Sequence, residues 1–234
     1  MNELQKLRDK VCKLEAAYDK EEQVRILQEI GGLLLTDYVI KIGDITVEPL
    51  WVEAYYYDEQ KFPDCNTHMS EKQKNRFGQL YFHKEGRGGL DVCLSSGDYY
   101  LSFLLKATLM CEEFKKQTDI YDILEQSGRT EDSIESERNV LVRQRRDHKI
   151  MHTKRINLQK PCFNNDMLAA FALDAVSQYN FEFARESLRD RAVDYMKEYM
   201  HSNQGCSKKE YQNECRKVFG WVPDVVTRML EDVK

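Results

Sequence analysis

Leu50-Trp51-Val52-Glu53-Ala54-Tyr55-Tyr56-Tyr57 is the stretch on which the reading of this chain turns. It is dense in aromatics and runs into the turn-like pair Asp58-Glu59, which is the composition of a β-strand. Strand side chains alternate, so Trp51, Glu53, Tyr55 and Tyr57 share one face while Val52, Ala54 and Tyr56 share the other. A single carboxylate then stands among three aromatic rings. An unpaired charge is expensive to bury. Either Glu53 pairs inside the sheet with a cation such as Arg76 or Lys106, or it belongs to a pocket for a flat, polar ring.

More strands flank this one. Residues 38–42 and 45–47 read as strands around Gly43-Asp44, and 80–84, 90–94 and 99–110 carry the same apolar and aromatic pattern. Between them, 58–70 is a loop holding Pro63 and His68, and the glycines of 86–89 make a turn. Five or six short strands at this spacing indicate an antiparallel sheet or small barrel.

Helical patterns occupy both sides. Leu4, Leu7, Val11 and Leu14 form one stripe, and Val24, Leu27, Ile30 and Leu34 a second, with Gly31-Gly32 weakening it near its end. Residues 118–137 are charged and helical, with a break at Gly128, and 150–158 offers a last strand. Beyond Pro161 the chain reads as helix almost to its end. Leu168, Phe171, Ala172, Ala175, Val176 and Tyr179 make one stripe, and Phe183, Leu188, Ala192, Tyr195, Met196 and Tyr199 the next. Gly205 then interrupts, and Pro223 starts the final helix. The expected fold is α+β: a central antiparallel sheet or small open β-barrel over 38–160, flanked by an N-terminal helical hairpin over 1–37 and a C-terminal helical segment over 161–234.

Bulk properties narrow the function. The 234 residues suffice for a proper core. No apolar run approaches the roughly 20 residues of a membrane helix, and the first residues lack a signal-peptide core, so no membrane contact and a cytoplasmic location are expected. The seven cysteines are odd in number and never spaced Cys-x-x-Cys, which fits free thiols in a reducing compartment. His83, Glu85 and Asp91 are too few across one hairpin for a metal site, so no metal and no cofactor are expected. Cys65 and His68 lie too close on one loop for a thiol nucleophile and its base. A formal charge of −5 counts against a dedicated nucleic-acid coat protein. The balance is uneven, however: 138–155 holds seven Lys/Arg against the single acid Asp147, and phosphates would be met there.

In this order and spacing, Val52-Glu53-Ala54-Tyr55, His68, Asn75-Arg76-Phe77-Gly78, Leu80-Tyr81-Phe82, Asp91-Val92-Cys93-Leu94-Ser95 and Leu104-Leu105-Lys106-Ala107 resemble the alkyladenine (3-methyladenine) DNA glycosylases, and Thr153 to Asn157 looks like a later segment of that family. The resemblance covers about a third of the residues. It implies hydrolysis of the N-glycosidic bond of alkylated purines in DNA, with the base flipped out of the duplex. Glu53 would activate the attacking water, with Arg76 beside it in the catalytic set. Tyr55 and His68 would stack on the purine from opposite sides, and Tyr81, Lys106 and Ser95 would complete the binding site. Arg87, Arg143, Arg145, Arg146, Lys154 and Arg155 would contact DNA. The chain departs from the family in three places: the turn before Asp91 carries Arg87 and no aromatic, Ser95 replaces an asparagine, and Lys106 replaces an arginine, which removes bidentate geometry. Recognition of a modified base or nucleotide without cutting is one alternative. A protein-interaction scaffold with functional helical ends is another.

Overall fold

The computed structural model describes residues 4–83, 88–155, 158, 167–179, 182–231 and 233. The chain is α+β and divides into two units, Met1–Phe171 and Ala172–Lys234. The boundary falls past residue 160, and the N-terminal helices belong to the first unit.

Two helices open the first unit, α1 (Gln5–Ala16) and α2 (Lys20–Thr36). Asp19 begins α2 by accepting the Glu22 N–H through its side chain at 2.8 Å, a standard N-cap. Leu7, Val11 and Leu14 of α1 and Ile26, Leu27, Ile30 and Leu34 of α2 are fully enclosed, as the two stripes require. Each such aliphatic side chain contributes roughly 1.5–3 kcal/mol when removed from water. The helix continues through Gly31-Gly32 to Thr36. A Cβ on Gly31 would lie 3.3 Å from the Ala170 Cβ and 3.5 Å from the Phe103 ring, so the missing side chain lets α2 lie directly on the sheet.

Strands β1 (Tyr38–Ile42), β2 (Ile45–Asp58), β3 (Phe62–Pro63), β4 (Gln79–Phe82), β5 (Leu90–Cys93), β6 (Tyr100–Met110) and β7 (Glu113–Lys116) follow. Short helices α3 (Asp122–Ser127) and α4 (Glu131–Glu135) precede β8 (Leu141–Arg143), β9 (Ile150–Thr153) and β10 (Ala169–Ala172). They form one strongly curled antiparallel half-barrel sheet, with the path β4-β5-β6-β2-β1-β8 among the described residues.

The signals at 45–47 and 50–57 are one strand, not two. β2 is the spine of the sheet: along one edge it pairs with β6 from Val47↔Met110 to Tyr57↔Tyr100, and along the other with β1, β10 and β3 in turn. Pro49 has no N–H for the ladder, and the register with β6 slips between Pro49 and Val52, a bulge that bends the strand.

Another correction concerns 168–172. Ala169–Ala172 is strand β10, antiparallel to β2 through Ala169↔Glu53, Ala170↔Val52 and Phe171↔Trp51. A short, continuous apolar run fits a doubly covered strand as well as a helix, and periodicity alone does not separate them.

The register assigns every side chain to a face, because directly paired residues point the same way. Val52, Ala54 and Tyr56, with Phe103, Leu105, Leu101, Val92, Leu80, Phe82, Leu90 and Ala170, all join the hydrophobic core that also contains α1 and α2. The opposite face carries Trp51, Glu53, Tyr55, Tyr57, Tyr81, Asp91, Ser102 and Leu104. Its chemistry is ionic and aromatic.

The second unit contains α5 (Leu173–Tyr179), α6 (Glu182–Ser202), α7 (Lys208–Phe219) and α8 (Asp224–Met229). Ser207 and Glu210 form a capping box at the start of α7, and Gly220 at φ 84° ends it. Tyr195 meets Phe219 edge-on at 5.6 Å, and Pro223 stands just before α8 as expected. No helix among the described residues is long and apolar enough to cross a membrane.

Candidate functional site on the ionic face

Glu53 lies in the middle of β2 with its side chain completely enclosed. The Tyr55 hydroxyl donates to its Oε2 at 3.0 Å, and the Lys106 ammonium stands 3.8 Å from the same oxygen. Both partners suit a carboxylate anion removed from water. Strand geometry explains the meeting. Tyr55 follows Glu53 by two residues on one face, and Lys106 projects from β6 at the bulge, its Nζ 5.7 Å from the centre of the Trp51 ring. Burial, then the adjacent Glu53 charge, push the Tyr55 phenol well above its ordinary value. It therefore stays protonated and remains a donor.

On the other side of Tyr55 lies Arg155. Its guanidinium sits 4.7 Å from the Tyr55 ring centre, donates to the Ala54 carbonyl at 3.0 Å, and makes a two-pronged pair with Asp64 at 2.6 and 3.1 Å. Arg155 and Asp64 are both buried. Burial opposes the charge on Arg155, but the Asp64 contacts outweigh it and raise its pKa further. The expectation that Arg155 contacts DNA is thus corrected: a guanidinium locked to an internal carboxylate does not reach a phosphate. It fixes the Tyr55 ring.

A second cluster lies further along this face. Asp91 pairs with Leu104, which in turn pairs with Glu53, so the two carboxylates stand in one row across the sheet. Asp91 is 1% exposed, and its Oδ2 accepts from Ser102 Oγ at 2.6 Å and Gln73 Nε2 at 2.9 Å. Gln73 is held by the single turn Glu71–Gln73, which Ser70 caps. The other Asp91 oxygen meets His83 Nε2 at 3.0 Å, and His83 Nδ1 lies 3.1 Å from His68 Nδ1. Tyr81 packs against both imidazoles, its centroid 5.8 Å from His68 and 5.2 Å from His83. Burial works against an imidazolium at His83, yet the Asp91 charge and hydrogen bond hold its pKa above the ordinary histidine value.

Of the residues expected at the site, Glu53, Tyr55 and Lys106 come together, and His68 and Tyr81 join the Asp91 cluster on the same face. Arg76 does not reach Glu53. It bonds Gln79, the Lys72 carbonyl and the Glu135 carbonyl, and so ties the end of α4 to β4. Ser95 closes its own turn, with Oγ 2.6 Å from the Tyr99 carbonyl and 3.0 Å from that of Gly97, and is buried there. Arg146 also turns inward: it donates to the Leu34, Leu35 and Tyr38 carbonyls, covering orphan acceptors where α2 ends. Arg143, Arg145 and Lys154 are exposed. Arg87 lies outside the described residues.

Sequence reasoning gave Asp64 and Ser102 no role at the site, weighed His83 and Asp91 as metal ligands and set that aside, and otherwise met Asp91 only within the Asp91–Ser95 segment of the resemblance. Among the described residues no three His, Cys, Asp or Glu side chains gather to hold a metal ion. The clue to Asp91 was available: one acid in Leu90-Asp91-Val92-Cys93-Leu94 is the same anomaly that singles out Glu53. No known family model matches the chain, and no curated protein matches it.

Proposed function

We propose that the ionic face of the half-barrel receives a purine ring and that Glu53 activates the water that hydrolyses its N-glycosidic bond, in the manner of the alkyladenine DNA glycosylases that the middle of the chain resembles. One observation carries the reading: Glu53, Tyr55 and Lys106, residues from two separate pieces of the resemblance, meet at a single carboxylate. In this role Glu53 takes the proton of water as the oxygen attacks the sugar C1′, a step for which a placed base supplies roughly 10²–10⁴-fold. Tyr55, fixed by Arg155, offers the aromatic surface, and base stacking of this kind contributes about 1–3 kcal/mol. DNA is the proposed partner, with Arg143 and Arg145 among the exposed cations that would meet its phosphates. A cytoplasmic location accords with the free thiols of Cys12, Cys93, Cys111, Cys206 and Cys215.

A second reading is recognition of the base without hydrolysis. It is favoured by the closure around Glu53, whose carboxylate is enclosed and already engaged by Lys106 and the Tyr55 hydroxyl. Chromatography of free bases released from methylated duplex DNA separates the two. The hydrolytic reading expects methylated purines from the wild type and loss of at least about a hundredfold in Glu53→Gln. Tight binding by both proteins with no released base supports recognition alone, and absence of both binding and release rejects the ring-binding face.

A further inference from the structure

Lys106 is held differently from the enclosed arginines. Arg155 grips Asp64 at 2.6 and 3.1 Å, and Arg146 donates to three backbone carbonyls. The Lys106 side chain is only 12% exposed, yet among the described residues no hydrogen bond ties its ammonium. Glu53 Oε2 stands 3.8 Å away, beyond the roughly 2.7–3.2 Å of an N–H donor and its acceptor. Its other contact is the Trp51 ring, 5.7 Å from the nitrogen. An enclosed cation without hydrogen bonds costs the fold free energy. The nitrogen also remains able to move and to react.

The backbone sets this position. Trp51 pairs with Ala107 and Val52 with Leu105, so Lys106 is the extra residue of a bulge in β6, a device that re-aims a side chain out of the ladder's alternation. From the bulge it reaches Glu53 diagonally, because the direct partner of Glu53 is Leu104. Trp51 supplies an apolar wall and is braced edge-on by Phe171 at 5.7 Å. The residue type matters as well. Where the chain departs from the family that it resembles, a primary amine replaces a guanidinium. A guanidinium stays charged and binds anions in a fork, whereas a lysine amine that has lost its proton adds to carbonyl carbon.

We propose that Lys106 is the nucleophile of a second activity, which adds to the C1′ aldehyde of an abasic deoxyribose and cuts the strand on its 3′ side. This rests on the reading that brings a sugar C1′ to Glu53. Hydrolysis of the glycosidic bond leaves a sugar whose ring opens to that aldehyde, so the product of the first step is the substrate of the second. The ammonium first gives a proton to Glu53, and neither neutral group then carries the desolvation cost of a buried ion. The amine lone pair forms the bond to C1′, and a nitrogen proton passes to the former carbonyl oxygen. That hydroxyl takes the Glu53 proton and leaves as water, which makes an iminium and restores the carboxylate. Glu53 then takes a proton from C2′. The C2′–H pair becomes the C2′–C3′ double bond, and the C3′–O pair departs with the 3′ phosphate. Water adds to the iminium and frees Lys106.

Borohydride trapping tests it, because borohydride reduces an imine to a stable amine. The full chain is incubated with duplex DNA carrying one abasic site, borohydride is added, and the adduct is located by peptide mass spectrometry. The wild type is expected to carry the sugar on Lys106 and, without borohydride, to break the strand 3′ of the site. Lys106→Arg keeps the charge beside Glu53, Lys106→Met keeps the apolar stem, and both are expected to form no adduct. No adduct in the wild type, or one on other lysines that persists in both variants, overturns the proposal; the wild-type result decides even where a variant fails to fold. A parallel incubation with methylated duplex DNA separates the two activities. Release of methylated purines without an adduct on Lys106 overturns the strand-cutting step alone. An adduct on Lys106 from abasic DNA with no base release supports that step and overturns hydrolysis by Glu53. Absence of both overturns both.

Discussion

Arg155 shows how much a single side chain decides here. Its guanidinium joins the loop carboxylate of Asp64, the β2 backbone at Ala54 and the face of Tyr55. Removing one member of a buried ion pair leaves the other charge uncompensated, which costs about 3–5 kcal/mol, far more than the pair itself adds over an apolar filling. Arg155→Met is therefore expected to lower unfolding free energy by that amount in urea titrations. The double change Asp64→Leu with Arg155→Met is expected to recover most of it. A loss below about 1 kcal/mol in the single variant would place the pair in the class of exposed ion pairs and contradict the enclosed network. None of this pairing was readable from sequence. Arg155 stood in a run of cations and looked like part of a basic surface, because composition carries no information on which member of a charged run turns inward.

At the scale of elements, the spine strand and the helical hairpin carry the architecture. Gly31 and Gly32 are adjacent in α2 yet opposite in consequence. Gly31 meets Ala170, Phe103 and Val52, while a Cβ on Gly32 meets nothing within 4 Å. Gly31→Leu is expected to force the helix off the sheet and cost about 1–3 kcal/mol. Gly32→Ala is expected to stabilise by about 0.5–1 kcal/mol, since it removes only the disadvantage of glycine in a helix. Thermal unfolding of both variants checks the pair, and equal responses would contradict the packing. The helix stripes and most strands were legible because their apolar residues recur at periods of 3.6 and 2. Two features were not. The signals at 45–47 and 50–57 read as two strands, whereas the bulge against β6 absorbs Pro49 and β2 continues. The run at 168–172 reads as helix, whereas it pairs with β2, a contact more than a hundred residues away in sequence that no local pattern encodes.

Across the whole molecule, the sheet separates two kinds of chemistry: one face holds the aliphatic core with α1 and α2, and the other holds Glu53 and Asp91 with their partners. This division was visible in the first strand read, because one acid at an alternating position already marks which face is not core. The placement of Arg76, Arg146 and Ser95 was not visible, since each is held by carbonyls or side chains brought in by the fold. With two of the proposed DNA-contacting arginines turned inward, the account rests on the ring-binding face more than on a basic surface. A crystal structure of the Glu53→Gln variant bound to a duplex carrying a methylated purine tests that face most directly. The account predicts the methylated ring outside its stack, in van der Waals contact with Tyr55 and between residue 53 and His68. A ring still stacked in the duplex, with protein contacts confined to Arg143, Arg145 and Lys154, would contradict it.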